Sequence, residues 1–445
     1  MTFWFNSIFT VLVLLFYFIR RIYKPPKELD FIPTVSFFKL LLILLCNQGQ
    51  YEIQKLIRES DPDRIGELPE NHLTDVFFGK GVTFSNGDRW ERQRKIATPA
   101  FNRALRPEMV GECTNEFINL VNKWTDKPID VFSLMQRITI QILGKLAFAY
   151  DMKALDNLDE QPYFLKIYTK IIRHVTNTPF VVFPFLSSLP LKRNIEVKSL
   201  IKEFDNFLFE MIEQRRFQMS KSKNEKENTD LLAGILEAAN QEEYNHTIKE
   251  LRDDIVVYFA AGHDTSSISL SEVQKKAREE AIKVLGNTSK LPTSENIKDL
   301  KYITAIIMES LRLYPPALQI LFRSPTKPLK LSRNITIPKG VKTTVSLWQV
   351  HRNPDIWNDV DEFIPERFIN PEKEIKSNWV PFSSGPRSCI GQNFSMMEQK
   401  VIIAMTLLNF EASLPPNARQ LDRIPLTSSF MMHPKKLDIV FSKLK

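Results

Sequence analysis

Hydrophobic and polar positions divide the chain into three parts. The run from Phe3 to Ile19 is apolar, with Asn6 its main interruption. Such a length stands at the short end of what an α-helix needs to cross a bilayer. The run opens without charged side chains, and Arg20, Arg21 and Lys24 follow it. A cleaved secretory signal would have a basic start and a small-residue cleavage site. Basic residues keep their side of a span in the cytosol. The pattern therefore predicts a membrane anchor over residues 1–21, its start lumenal. Residues 22–50 read as a linker and membrane-proximal segment. Pro25 and Pro26 stiffen a polar stretch, and the apolar run Phe37 to Cys46 is too short to span again.

Residues 51–445 read as one mainly α domain with a minor β part. Segments 131–150 and 199–217 carry apolar residues at helical spacing. Strand-like pieces are few, the clearest being Ile335–Ile337 and Lys342–Leu347, beyond the Pro315-Pro316 break. Residues 220–230 are the most polar stretch and predict an exposed loop. Ser271 and Gln274 have the spacing of a capping box, which predicts a helix start.

Composition narrows the chemistry. Thirteen glycines against 27 prolines, and the absence of GxGxxG and GxxxxGK[ST] strings, argue against a built-in flavin, nicotinamide or nucleoside triphosphate site. The formal net charge of +8 suits an anionic membrane surface or an acidic partner. Three cysteines (Cys46, Cys113, Cys389) are too scattered for a disulfide framework or a zinc site, and none of the six histidines has a metal-ligand spacing.

The most informative stretch is residues 381–399. Cys389 lies in a Gly/Pro/Ser-rich loop just before a helix-like run starting near Phe394. The N-terminus of a helix offers free N–H groups and a positive dipole end, both favouring a thiolate. Gly385 and Gly391 permit turns and close approach, and Phe382 can shield the sulfur. The string Phe382-Ser383-Ser384-Gly385-Pro386-Arg387-Ser388-Cys389-Ile390-Gly391 resembles the haem-binding loop FxxGxRxCxG of the cytochrome P450 family at every fixed position. The resemblance implies haem b, with Cys389 as the axial ligand to iron and Arg387 as a propionate contact.

Further motifs occur in the family's order. Glu309 and Arg312 share a helix face at i, i+3. With Arg367 of the PxRF-like string Pro365–Phe368, the resemblance implies a structural Glu309–Arg312–Arg367 network behind the haem. Residues 260–267 (AAGHDTSS) resemble the oxygen-binding groove of the family's central helix. There Gly262 would leave room for dioxygen, Thr265 would hold a water, and Asp264 would relay protons. Trp90 and Arg94 lie at i, i+4 and, like Arg323, match propionate contacts of the family. His351-Arg352-Asn353-Pro354 also fits, so that the resemblance covers roughly residues 60–445. Its microsomal branch implies an endoplasmic reticulum membrane, a cytosolic domain, NADPH-cytochrome P450 reductase with cytochrome b5 as partners, a lipophilic substrate such as a fatty acid or sterol, and no nucleic acid.

The sequence departs from the pattern after Thr265. About ten residues of the family's central helix are missing before Ser271, about 15 Å at 1.5 Å per residue. Alternatives to a monooxygenase therefore stay open: an isomerase or peroxide-using relative, or a non-functional haem-domain variant.

Overall fold

The structure, a computed structural model, describes residues 72–176, 184–221, 230–239, 247–261, 271–286, 290–321, 323–331, 336–415, 432, 434 and 436–444. In chain order the elements are α1 (Leu73–Phe78), α2 (Gly87–Arg103), α3 (Pro107–Asn122), β1 (Pro128–Asp130), α4 (Val131–Phe148), α5 (Tyr163–Val175), α6 (Lys192–Lys221), α7 (Leu231–Ala239) and α8 (Ile248–Ala261). They continue with α9 (Ser271–Leu285), α10 (Lys301–Leu313), β2 (Leu329–Lys330), β3 (Thr336–Ile337), α11 (Leu347–Val350), α12 (Lys373–Asn378), α13 (Gln392–Asn409), β4 (Phe410–Ser413) and β5 (Asp438–Lys443). The domain is mainly helical with a minor sheet component, as the periodicity predicts. The predicted anchor and the Phe37–Cys46 run lie outside the described residues. No helix among the described residues is long and apolar enough to cross a membrane.

Local rules set most boundaries. The Asp130 carboxylate caps α4 by accepting from Phe132 N at 3.2 Å. The helix ends at Phe148 rather than at residue 150, because Ala149 turns left-handed at φ 48°. Pro107 occupies the first position of α3, where no intrahelical donor is needed. The helix α9 begins at Ser271, where the capping-box spacing predicts a start. The Gln274 amide pairs with β4, accepting from Ala412 N at 2.8 Å and donating to Ala412 O at 3.2 Å.

The small sheet has the order β1-β5-β4, all antiparallel, with Ile129 opposite Ile439 and Ala412 opposite Phe441. The strand expectations near 335–347 shrink to β3, paired with β2, and to two isolated bridges, Gln319 with Ser346 and Arg323 with Thr343. The expected exposed loop 220–230 needs a correction at its end. Asp230 is buried, receives the Arg215 guanidinium, and accepts from Ala233 N at 2.9 Å as the cap of α7. A carboxylate that both pairs and caps tolerates burial.

α13 leaves the Cys389 loop and packs against α3, α9 and α10. Ile303 and Ile307 of α10, Ala281 of α9 and Ala404 of α13 form the apolar cluster between them. α2 and α7 pack so closely that a side chain at Gly234 would stand 3.0 Å from the Ala100 Cβ. These contacts hold the start of α13, and hence Cys389, against α2.

Candidate active site

The Cys389 loop is closed by its own backbone. Cys389 N donates to Phe382 O at 2.8 Å and Ser388 N to Gly385 O at 3.0 Å. Ser383 (φ 61°) and Gly385 (φ 73°) supply the left-handed residues of the turn. Gly391 has φ −87°, open to any residue, so its expected role reduces to space. A Cβ there would lie 4.0 Å from the Cys389 Sγ and 3.8 Å from the Phe101 Cε1. The helix α13 starts at Gln392, two residues before Phe394. Phe382 packs at 5.9 Å against the Trp379 ring.

Cys389 is accessible to solvent, yet burial is the largest influence on its thiol. The two observations agree for a sulfur on the wall of a recess. Burial pushes the thiol pKa up; the Gly391 N–H and the Arg94 guanidinium oppose that rise without reversing it. The helix-start argument thus names real contributions, but desolvation outweighs them in the metal-free chain. A metal would reverse the balance, since a coordinating thiol is deprotonated outright.

Two guanidiniums are built into the loop. Arg94 donates from Nη1 to Ser388 O at 2.8 Å, tying α2 to the residue before Cys389. Arg387 is buried, lies 3.8 Å from the centroid of the Trp90 ring, and donates from Nη1 to Ser85 O at 3.0 Å. The i, i+4 spacing of Trp90 and Arg94 brings both side chains to this loop.

Arg323 is the informative outlier. Its backbone exchanges hydrogen bonds with Thr343, at 2.7 and 2.8 Å. Its side chain is 1% exposed, and its Nε has no hydrogen-bond partner. No carboxylate among the described residues offsets its burial, which lowers its pKa to about 10. An unpaired buried cation is costly unless something anionic meets it. This donor set fits haem: a thiol to bind iron, and guanidiniums and an indole suited to its carboxylates.

The Glu309–Arg312–Arg367 network is present in full. Arg312 donates to both Glu309 carboxylate oxygens, at 2.7 and 2.9 Å, and to the carbonyls of His351, Val360 and Glu362. Arg367 reaches Glu309 Oε1 at 3.3 Å, and Ile364 N donates to the same oxygen at 2.9 Å. His351 carries the network on, its Nε2 accepting from Val380 N at 3.1 Å, two residues before Phe382. Burial and the neighbouring Arg312 and Arg352 lower its pKa to about 3, so the ring is neutral.

Asp264 and Thr265, together with Gly262, lie outside the described residues. α8 leads to them and is described to Ala261. Sequence reasoning missed Tyr258 of α8, whose buried hydroxyl has no partner and whose ring meets Phe101 edge-on at 5.0 Å. It also missed Gln93, Ser85 and Asp254, a buried polar group between α2 and α8. No local spacing marks such residues, because they pair with partners far along the chain.

A chain with this fold and a thiol loop of this kind is a haem-thiolate type of protein. A family model for cytochrome P450 matches residues 50–441, and the chain belongs to the cytochrome P450 family. It is an oxidoreductase of the monooxygenase class, in a family that carries haem on a cysteine thiolate. The cytokinin hydroxylase of Arabidopsis thaliana is 30% identical, over 86% of this chain and 76% of that protein. The 11-oxo-beta-amyrin 30-oxidase of Medicago truncatula is 28% identical, over 80% of this chain and 73% of its own length. Cytochrome P450 4F5 of Rattus norvegicus is 29% identical, over 75% and 69%.

Proposed function

We propose that this chain inserts one oxygen atom from O2 into a lipophilic substrate. Its electrons come from a separate NADPH-cytochrome P450 reductase, with cytochrome b5 as a second donor. Residues 1–21 anchor it in the endoplasmic reticulum membrane, with residues 51–445 as the cytosolic catalytic domain. The observation that carries the reading is the Cys389 loop, a thiol beside the start of α13 with Arg94 and Arg387 bonded around it. The relatives add support through their names, which speak of a cytokinin and of 11-oxo-beta-amyrin as molecules oxidised.

Bound haem, held by Cys389, would supply oxygen activation. The chain does the rest. Cys389 holds the iron. Arg94, Arg387, Arg323 and Trp90 hold the carboxylates. Glu309, Arg312 and Arg367 fix the scaffold behind the ligand loop. Asp264 relays protons and Thr265 positions them, a positioned acid step.

A reduced carbon-monoxide difference spectrum tests the ligand. Cys389→Ser should lose the thiolate-type band, whereas Cys46→Ser and Cys113→Ser should keep it. A band retained in Cys389→Ser refutes the assignment. With reductase added, substrate-dependent NADPH consumption matched by oxygenated product supports the monooxygenase, and turnover needing only peroxide supports the peroxide-using alternative.

A further inference from the structure

One buried amide joins the central helix to the ligand loop. On α8, Asp253 accepts from Lys80 N at 2.9 Å and Asp254 from Val82 N at 2.6 Å. Segment 79–82 is thus pressed onto α8. A Cβ at Gly79 would stand 2.1 Å from Asp253, and one at Gly81 would stand 2.5 Å from its carbonyl oxygen. Gln93 of α2, 1% exposed, donates from Nε2 to Asp254 Oδ1 at 3.3 Å and to Lys80 O at 3.0 Å. Its Oε1 accepts from Ser85 Oγ at 2.5 Å. Ser85 O accepts from Arg387 Nη1, two residues before Cys389. Asp254, Gln93, Ser85 and Arg387 are all buried, so water does not compete for these bonds.

We infer that Gln93 is a positioning residue that fixes Arg387, and through it the charge around the haem, by tying Ser85 to Asp254 of α8. The inference rests on the haem-thiolate reading above. The chemistry requires an amide. Asp254 Oδ1, which also accepts from Val82 N, and Lys80 O both face the Gln93 nitrogen, while the Ser85 hydroxyl faces its oxygen. A carboxylate cannot donate, and an aliphatic side chain can do neither. Loss of one member of a buried network removes bonds that no water replaces there. Reduction of iron adds negative charge, so a cation held close favours the reduced form. Once Ser85 is loosened, Arg387, which also donates from Nη2 to Asn86 Oδ1 at 3.5 Å, is held less closely on its Ser85 side, and the reduced form loses part of that support.

The test uses the full-length holoenzyme, with the haem reduction potential and the unfolding midpoint as readouts. Gln93→Leu should keep the thiolate-type carbonmonoxy band. Its reduction equilibrium constant should fall on the order of tenfold, about 59 mV for one electron. Ser85→Ala should shift the potential in the same direction. The double variant should go no further than Gln93→Leu, as coupled members of one chain require. Thr114→Ala serves as control, since that buried hydroxyl bonds, among the described residues, only Val110 O of its own helix. It should lose stability without moving the potential. A Gln93→Leu potential equal to wild type, or shifts that add in the double variant, overturns the inference. If Gln93→Leu fails to hold haem, Ser85→Ala decides alone, and an unmoved potential there overturns it as well. A wild-type protein without the thiolate band would instead refute the haem-thiolate reading itself.

Discussion

Arg312 and Arg323 are both fully buried guanidiniums, yet their surroundings are opposite. Arg312 spends its donors on the two oxygens of Glu309 and on three backbone carbonyls, and the Trp357 ring lies 5.2 Å away. Among the described residues Arg323 has no partner for its Nε and no carboxylate to offset its burial. Burial of charge is costly in both places. In the first the protein itself offsets the cost, and the residue belongs to the architecture. In the second no such offset is found among the described residues, which suits the ligand role proposed above. Hydrogen-bond partners thus distinguish the two arginines where burial alone does not.

The largest expected effect strikes the satisfied pair. Arg312→Met leaves the Glu309 carboxylate with only Arg367 and Ile364 N, and frees three carbonyls that anchor residues 351–362. Removing one member of a buried pair costs roughly 3–5 kcal/mol, a large part of the roughly 5–15 kcal/mol that stabilises a domain. We expect a sharp fall in unfolding midpoint and little protein that retains haem. An unfolding midpoint within a degree or two of wild type would break the contrast.

Arg323→Met should act the other way round. It removes a buried charge for which the described residues hold no carboxylate, so the haem-free protein should unfold in denaturant no earlier than wild type. The haem should be lost faster, because a hydrogen bond to a charged group is worth about 1.5–3 kcal/mol, or about 10- to 100-fold in affinity. Transfer of haem to a scavenger protein measures this. If the haem-free variant is as destabilised as Arg312→Met while haem loss is unchanged, Arg323 is scaffold.

What the sequence disclosed follows the range of each interaction. The Cys389 loop was legible because its geometry is local: a left-handed Gly385, a backbone bond from Cys389 to Phe382, and a helix start all fall within a dozen residues. Glu309 and Arg312 were legible for the same reason, one helical turn apart. Arg367 was placed through the family resemblance, and its bond to Glu309 joins residues 58 apart. The Gln93–Asp254 bond spans 161 residues and the Arg387–Ser85 bond 302, and no periodicity reports such pairs. Gln274 likewise pairs with a residue 138 positions away, Ala412 of β4, a contact that its local motif does not report. Asp230 shows an error, since polarity predicted exposure and Arg215 made burial acceptable.

The smallest expected effect concerns a second pair of buried groups that repeats the comparison with carboxyls. Glu309 is fully buried and held by Arg312, Arg367 and Ile364 N, whereas Glu398 of α13 is buried with one oxygen, Oε1, unpartnered. Burial alone raises the Glu398 pKa well above its ordinary value, so the folded protein keeps this carboxyl protonated where the unfolded chain ionises. The folded state then binds more protons, and stability is lost as pH rises from the ordinary carboxyl range toward the raised value. Below that range both states are protonated and the group contributes no slope. Glu398→Gln keeps the shape and removes the ionisation. It should unfold like wild type near pH 4 and pull ahead above it, by up to roughly 1.4 kcal/mol for each pH unit within the window. Denaturant unfolding of wild type and variant across pH 4–8 measures the divergence. Parallel curves would mean that Glu398 ionises in the folded protein after all, and that a partner for it has been overlooked. Curves that part with the opposite sign would mean that partners hold the Glu398 carboxylate ionised in the folded protein, and the contrast in partners between the two glutamates would be lost.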